Sequence, residues 1–187
     1  MPHRRALPPS LLGRPFGLAE AIELGVGVGR LRGDDLSRPF RAVRMPHSTV
    51  ATVDALAHAY ATRMPPHHFF SHWTAAELLG LRLPEGRVPG GLDVAVVQPN
   101  RAPRLPGVRG HQLLRGARTV VLPNGLRVSH PVEVWCQLAA ELGHDDLVVL
   151  GDGLVRRQRP FATMDDLIEA IDAWGHRPGV AALRAAV

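Results

Sequence analysis

The chain has no lysine: all 22 of its basic residues are arginine. A GC-rich genome accounts for such a bias, but the absence has chemical consequences. It removes Walker-type phosphate binding, Schiff-base chemistry and the metal-nuclease motif whose third member is Lys. There is one cysteine, Cys136, so no internal disulfide can form. Its place in an apolar helical pattern predicts a buried structural thiol rather than a nucleophile. No apolar run approaches the roughly 18 residues of a membrane span. The N-terminus, Met-Pro-His-Arg-Arg-Ala-Leu-Pro-Pro-Ser, is basic but lacks the apolar region of a secretory signal. These absences predict a cytoplasmic protein. No Ser-His-Asp order with a nucleophile elbow and no glycine-rich phosphate loop occurs, and Gly25-x-Gly27-x-Gly29 has no strand before it.

What is present is 187 residues, 45% of them hydrophobic, enough for one good core or one core with a small satellite domain. Charge is unevenly spread. Residues 1–48 carry 8 Arg against 4 acids and residues 85–130 carry 7 against 2, whereas residues 131–187 carry 5 Arg against 9 acids. Two basic blocks and an acidic tail suggest a side facing a polyanion and a side facing solvent or a partner, although scattered arginine also solubilises a surface.

Residues 11–46 read as helix, turn, helix, then extended ribbon. Leu18, Ala21, Ile22 and Leu24 fall at helical spacing, with Glu20 and Glu23 opposite and Gly25 as the stop. Val28, Leu31 and the Arg30/Arg32 pair predict a second helix ending at Gly33, even though Gly27 and Gly29 in its first turn each cost about 1 kcal/mol against alanine. From Leu36 to Met45, apolar and basic residues alternate as in a strand with one wet face. This is the order of a helix-turn-helix with a basic wing. No Asn, Gln or Ser stands beside the arginines to read base edges, so the pattern favours arginine on phosphate.

Residues 47–63 predict a helix with Val50, Val53, Leu56, Ala57 and Tyr60 on one face. In residues 67–84, Thr74 and Glu77 match a Thr-x-x-Glu capping box, and Gly80 and Pro84 close the far end. His67, His68 and His72 do not have zinc-site spacing, and no Cys or carboxylate completes a set. Period 2 then predicts strands at Leu92–Val97 and Val108–Leu113. A hairpin follows, Thr119–Leu122 and Leu126–Ser129 about Pro123-Asn124-Gly125. The segment 98–106 between the first two strands is a basic, proline-rich loop that proline keeps out of a ladder. Ser129 is read as the cap of a helix over 132–142, and Asp145 or Asp146 opens another over 147–157 with an Asp152–Arg156 pair. Thr163 with Asp166 opens a third, through Trp174 to a stop at Gly175, and a last one runs to Val187. Asp145, Asp146 and Asp152 are explained as two helix-start acids and one exposed pair rather than as a metal or acid/base cluster.

The stretch 67–84, the helix-turn-helix order of residues 11–46 and the hairpin-to-helix junction at His130-Pro131 together resemble the AbiEi family of bacterial type IV abortive-infection antitoxins. The resemblance is closest to the actinobacterial-type proteins in which an AbiEi-like region precedes a very-short-patch-repair-type endonuclease domain. It covers roughly residues 11–187, and the carboxylate cluster of such an endonuclease is not found in it.

The resulting expectations are an α+β fold with a winged-helix-like DNA-binding subdomain at 1–46 and an AbiEi-like α/β domain at 47–187 built on a small antiparallel sheet flanked by helices. The resemblance implies an antitoxin, a transcription regulator of its own toxin–antitoxin or defence locus, with DNA and a cognate toxin or nuclease module as partners. Arg30 and Arg32 on the recognition helix and Arg38, Arg41 and Arg44 on the wing would contact phosphates, with Arg101, Arg104 and Arg109 as a second basic edge. No catalytic residue, metal, cofactor or membrane contact is expected. The alternative is the regulatory or targeting half of a very-short-patch-repair-type endonuclease without its catalytic domain, suggested by an open-ended last helix over 180–187.

Overall fold

Residues 6–85, 90–158 and 160–187 are described by the computed structural model of the chain. The fold is α+β; among the described residues there are seven α-helices and two sheets. The chain divides into two compact units between Pro66 and His67.

In the first unit, apolar residues too sparse for long elements gather around one small core. A 3₁₀ turn (Pro9–Leu11) leads to β1 (Phe16–Gly17) and α1 (Leu18–Glu23). A second 3₁₀ turn (Arg30–Arg32), β2 (Leu36–Ser37), β3 (Val43–Pro46) and α2 (Val53–Ala61) follow. Leu11, Phe16, Ala21 and Leu31 bury their side chains together, with Leu7, Val26 and Leu36 around them. The strands form an antiparallel sheet in the order β1-β3-β2, with Phe16 opposite Arg44 and Leu36 opposite Pro46.

Two sequence expectations change here. The second helix forms only as the turn Arg30–Arg32, because Gly27 and Gly29 remove the propensity a first α-helical turn needs. The ribbon over 36–45 is not one strand: it folds back at residues 38–42, with Ala42 at φ 64°, into the pair β2–β3.

The expected boundary after residue 46 lies inside this unit. Helix α2 packs on β3, and the buried Tyr60 meets Phe40 edge-on at 5.4 Å and 69°, which ties the helix to the N-terminal core. Thr52 caps α2 by accepting from the Ala55 amide at 3.1 Å. Val50, expected on its apolar face, precedes the helix and is 77% exposed.

The second unit is built on a five-stranded sheet in the order β6-β5-β4-β8-β7. Its strands are β4 (Phe69–Phe70), β5 (Leu92–Val97), β6 (Val108–Leu113), β7 (Thr119–Val121) and β8 (Arg127–Ser129). This sheet is mixed rather than antiparallel. The expected hairpin is present, with Val120 opposite Val128 and Gly125 at φ 84° in its turn, where only glycine sits without strain. But β5 and β6 run parallel, Leu92 through Val97 opposite Val108 through Leu113, and β4 pairs parallel with β8. The loop 98–107 carries the chain back along the sheet, so consecutive strands need not be antiparallel.

Helices α3 (His72–Leu78), α4 (Pro131–Leu138), α5 (His144–Val155), α6 (Met164–Trp174) and α7 (Val180–Ala185) complete the unit. Their apolar faces bury Trp135, Leu138, Leu147, Leu150, Leu154, Leu167 and Leu183. Full burial of each aliphatic side chain contributes about 1.5–3 kcal/mol. Trp135 keeps its indole N–H satisfied by donating to the Leu147 carbonyl at 2.9 Å. The expected helix-end devices divide. Thr163 and Asp166 form the full reciprocal capping box of α6. Thr74 does not cap α3: it is buried within the helix and its Oγ1 accepts from the Asp93 amide of β5 at 2.7 Å. Ser129 lies one residue before the cap position of α4, and its Oγ accepts from Gln137 Nε2 at 3.1 Å. Arg156, expected to pair with Asp152 within a helix, follows the end of α5 with its guanidinium 5.8 Å from the Phe161 ring centre. Among the described residues, no helix is long and apolar enough to cross a membrane.

Candidate nucleic-acid interface

The five arginines expected to meet phosphate in the first unit fall into two groups. Arg30 and Arg44 are committed inward. Arg30 forms a fork with Asp35, Nη1 to Oδ1 at 3.0 Å and Nη2 to Oδ2 at 2.7 Å, and its side chain is only 10% exposed. Arg44 donates through Nε to the Leu31 carbonyl at 2.7 Å and through Nη1 to the Val43 carbonyl at 2.8 Å. Partial burial, and the nearby charge of Arg38, lower the pKa of Arg44 from its ordinary value. Both hold the turn Arg30–Arg32 to the sheet and its neighbours.

Arg32, Arg38 and Arg41 form the second group, and all three are exposed. Arg38 reaches the Arg32 carbonyl at 3.5 Å, which puts the 3₁₀ turn and the root of the ribbon side by side. A further arginine carries no sequence signal of its own: Arg63, exposed just after α2, donates from Nη1 to the Arg41 carbonyl at 2.8 Å. Its separation from the ribbon in the chain hides it, and only the packing of α2 on β3 reveals the neighbourhood.

In the second unit, Arg101 and Arg104 are exposed on the loop between β5 and β6, as their prolines require. Arg109 differs. It stands on β6 opposite Asp93, and its Nε donates to Asp93 Oδ1 at 2.5 Å, while its Nη1 lies 3.7 Å from Glu141 Oε2. His111 Nε2 meets the same Asp93 oxygen at 2.9 Å. Burial alone would push the Asp93 carboxyl up, but the hydrogen bonds and charges of His111 and Arg109 outweigh it and hold the group at about 2.

His72 joins this network from the other side. Its ring stacks on His111 with centroids 3.7 Å apart and 19° between planes. It takes up the left-handed backbone region at φ 47°, and its amide donates to Gln137 Oε1 at 2.9 Å. Trp73 Nε1 donates to Glu141 Oε2 at 2.7 Å. Two sequence signals point to this network: a lone carboxylate inside the apolar run Leu92–Val97, and an Arg-x-His pair on the next strand.

A cleft of about 440 Å³ lies between the β6–β7 connection and helices α4 and α6, with Arg115, Arg118, Glu133, Cys136, Trp174 and Arg177 among its lining residues. Arg177 lies over the Trp174 ring at 4.5 Å, and Arg118 Nε is 3.5 Å from Glu133 Oε1. The mixed charge gives it no single ligand class. Among the described residues, no group of three or more His, Cys, Asp or Glu could hold a metal ion, and His67, His68 and His72 do not converge: His67 meets His68 edge-on while His72 faces His111.

The architecture defines an α+β protein with a basic N-terminal sheet unit and a larger mixed-sheet unit. No family model matches the chain, and no curated protein matches it. Among solved structures, the crystal structure of the RV2827C protein from Mycobacterium tuberculosis is similar, with a TM-score of 0.55 at 15% identity, covering 92% of this chain and 72% of that one. At that identity the likeness concerns the fold alone.

Proposed function

We propose that the chain is a cytoplasmic, non-enzymatic, DNA-associated protein of the AbiEi-like antitoxin type, a transcriptional autoregulator of a toxin–antitoxin or defence locus. The observation that carries the reading is the element order of the first unit combined with its exposed arginines. A helical turn, β1, α1, a second helical turn and the ribbon β2–β3, in the sheet order β1-β3-β2, support reading this unit as a winged helix with its first and recognition helices cut to single turns. Arg32, Arg38 and Arg41 are exposed and in this reading belong to the recognition turn and wing, with the exposed Arg101 and Arg104 as a second basic edge in the other unit.

A three-residue turn offers too little surface to read base edges along a major groove, so the arginines act on phosphate. Arg30 and Arg44 support the first unit's surface from within, and Arg109, itself exposed, is held on β6 by Asp93. Burial pushes the Cys136 thiol up to about 12, so this residue offers no thiolate nucleophile.

The test is fluorescence anisotropy of the purified chain on its own promoter duplex. Binding should tighten steeply as salt falls, because each neutralised phosphate releases counterions. No binding at low salt, or binding unaffected by joint Arg32→Ala, Arg38→Ala and Arg41→Ala substitution, overturns the reading. Incubation with plasmid, single-stranded DNA and RNA in Mg²⁺ or Mn²⁺ should leave all three intact.

A further inference from the structure

Resting on that reading, we infer that Arg63, from the segment after α2, is part of the DNA-binding surface, and that the surface is a four-arginine grip on the phosphate backbone with no base readout. The four are paired by geometry. Arg38 reaches the Arg32 carbonyl at 3.5 Å, and Arg63 reaches the Arg41 carbonyl at 2.8 Å. Arg38 and Arg41 stand at either end of the fold-back between β2 and β3, at most about 11 Å of chain apart. The two pairs therefore flank the fold-back, one beside its β2 end and one beside its β3 end, and offer two places for phosphate contact.

All four residues are exposed, and each guanidinium has five N–H donors. The hydrogen bond from Arg63 uses one nitrogen and anchors the side chain, which lowers the ordering cost of presenting the rest to a phosphate. Arg30 supplies the contrast: its fork is closed on Asp35.

A backbone grip makes a quantitative claim. The slope of log affinity against log salt falls by about 0.9 for each phosphate that is no longer neutralised, whatever the sequence of the duplex. The experiment measures that slope for the full chain and for Arg41→Gln, Arg63→Gln, Arg63→Lys and Arg30→Gln, on the promoter duplex and on a shuffled duplex of equal length. Arg63→Gln should lower the slope by about 0.9 on both duplexes with an unchanged melting temperature, and Arg63→Lys should restore it. Arg30→Gln should lower the melting temperature and leave the slope alone.

If the wild-type chain binds and Arg41→Gln lowers the slope but Arg63→Gln does not, this inference fails while the DNA-binding reading stands. If Arg63→Lys lowers the slope as much as Arg63→Gln, Arg63 serves only to hold the Arg41 carbonyl and the inference also fails. A slope change confined to the promoter duplex overturns the claim of no base readout. No binding by the wild type overturns both readings.

Discussion

Arg109 donates to Asp93 from the directly opposite register position of a parallel strand pair, Nε to Oδ1 at 2.5 Å. The Asp93 side chain is 2% exposed while that of Arg109 is 45% exposed, so the pair joins an interior anion to a cation that still reaches water. Removing the anion leaves a cation that can rehydrate, which limits the cost compared with a fully buried pair.

The folded carboxyl titrates at about 2 against an ordinary 3.8, and this sets a pH window. Because the folded value is depressed, the stabilisation is fully present above about pH 4 and is lost as pH falls towards 2. The gap corresponds to about 2 kcal/mol. Asp93→Asn should therefore lower unfolding stability by about 2 kcal/mol at pH 7, with the difference from wild type shrinking between pH 4 and pH 2. Urea titrations across that range check it; a difference independent of pH would mean that the charge of Asp93 is not what stabilises.

Gly110 explains how the basic loop is held against β6. A Cβ at this position would stand 2.0 Å from the Pro103 carbonyl oxygen, so the loop bearing Arg101 and Arg104 crosses where only a hydrogen fits. Gly110→Ala should cost about 1–3 kcal/mol through overpacking. Gly153, inside α5 with nothing within 4 Å of an added Cβ, supplies the control. Gly153→Ala should stabilise the chain by up to about 1 kcal/mol through helix propensity. Equal melting temperatures for the two variants would contradict the close crossing.

These cases indicate which parts of the fold are legible locally. Strands β5 and β6 stand out because a continuous apolar run and a period-2 run carry their own signal, and the hairpin turn at Asn124-Gly125 needs no distant partner. The direction of the β5–β6 pairing does not, since it depends on the path of the loop 98–107 rather than on either strand. Phe69–Phe70, in the middle of the sheet, is too short to show a period. The Arg30–Arg32 element reads as a full helix only when its apolar spacing is weighed above Gly27 and Gly29. Of the candidate interface, the exposed arginines are legible as charge, but Arg63, the inward roles of Arg30 and Arg44, and the pairing of Arg109 with Asp93 depend on tertiary neighbours.

The two capping-box patterns give a paired test of local against tertiary roles. Thr163 and Asp166 act locally, each bonding the backbone of the other at the start of α6. Thr74 has the same sequence signature, yet its hydroxyl satisfies the amide of Asp93 on β5. Thr74→Val keeps the shape but leaves that buried N–H unsatisfied, at a cost of about 1–3 kcal/mol. Thr163→Val should cost less, because the Asp166 amide it frees is at an exposed helix end where water replaces the hydroxyl. Amide exchange at Asp93 should accelerate in Thr74→Val and stay unchanged in Thr163→Val. Protection retained at Asp93 in both would argue against the cross-element bond.

Cys136 offers a probe of this core. Burial first, and then the negative charge of Glu133, push its thiol up to about 12, against the weaker opposing influence of Arg177 and Arg118. At pH 8 almost none of it is thiolate, and the residue is buried on α4 beside Trp135 although it borders the cleft at α6. Reaction with a disulfide reagent requires both the thiolate and access to sulfur. The folded protein should therefore react far more slowly than the chain in denaturant, and the rate should rise with urea in step with unfolding. Destabilising the unit through Asp93→Asn should raise the native rate in proportion to the lost stability if reaction proceeds by global opening. A fast reaction in native buffer, equal in wild type and variant, would instead mean that the cleft opens to the sulfur locally, and the thiol would then report on motion of α6 rather than on the stability of the unit.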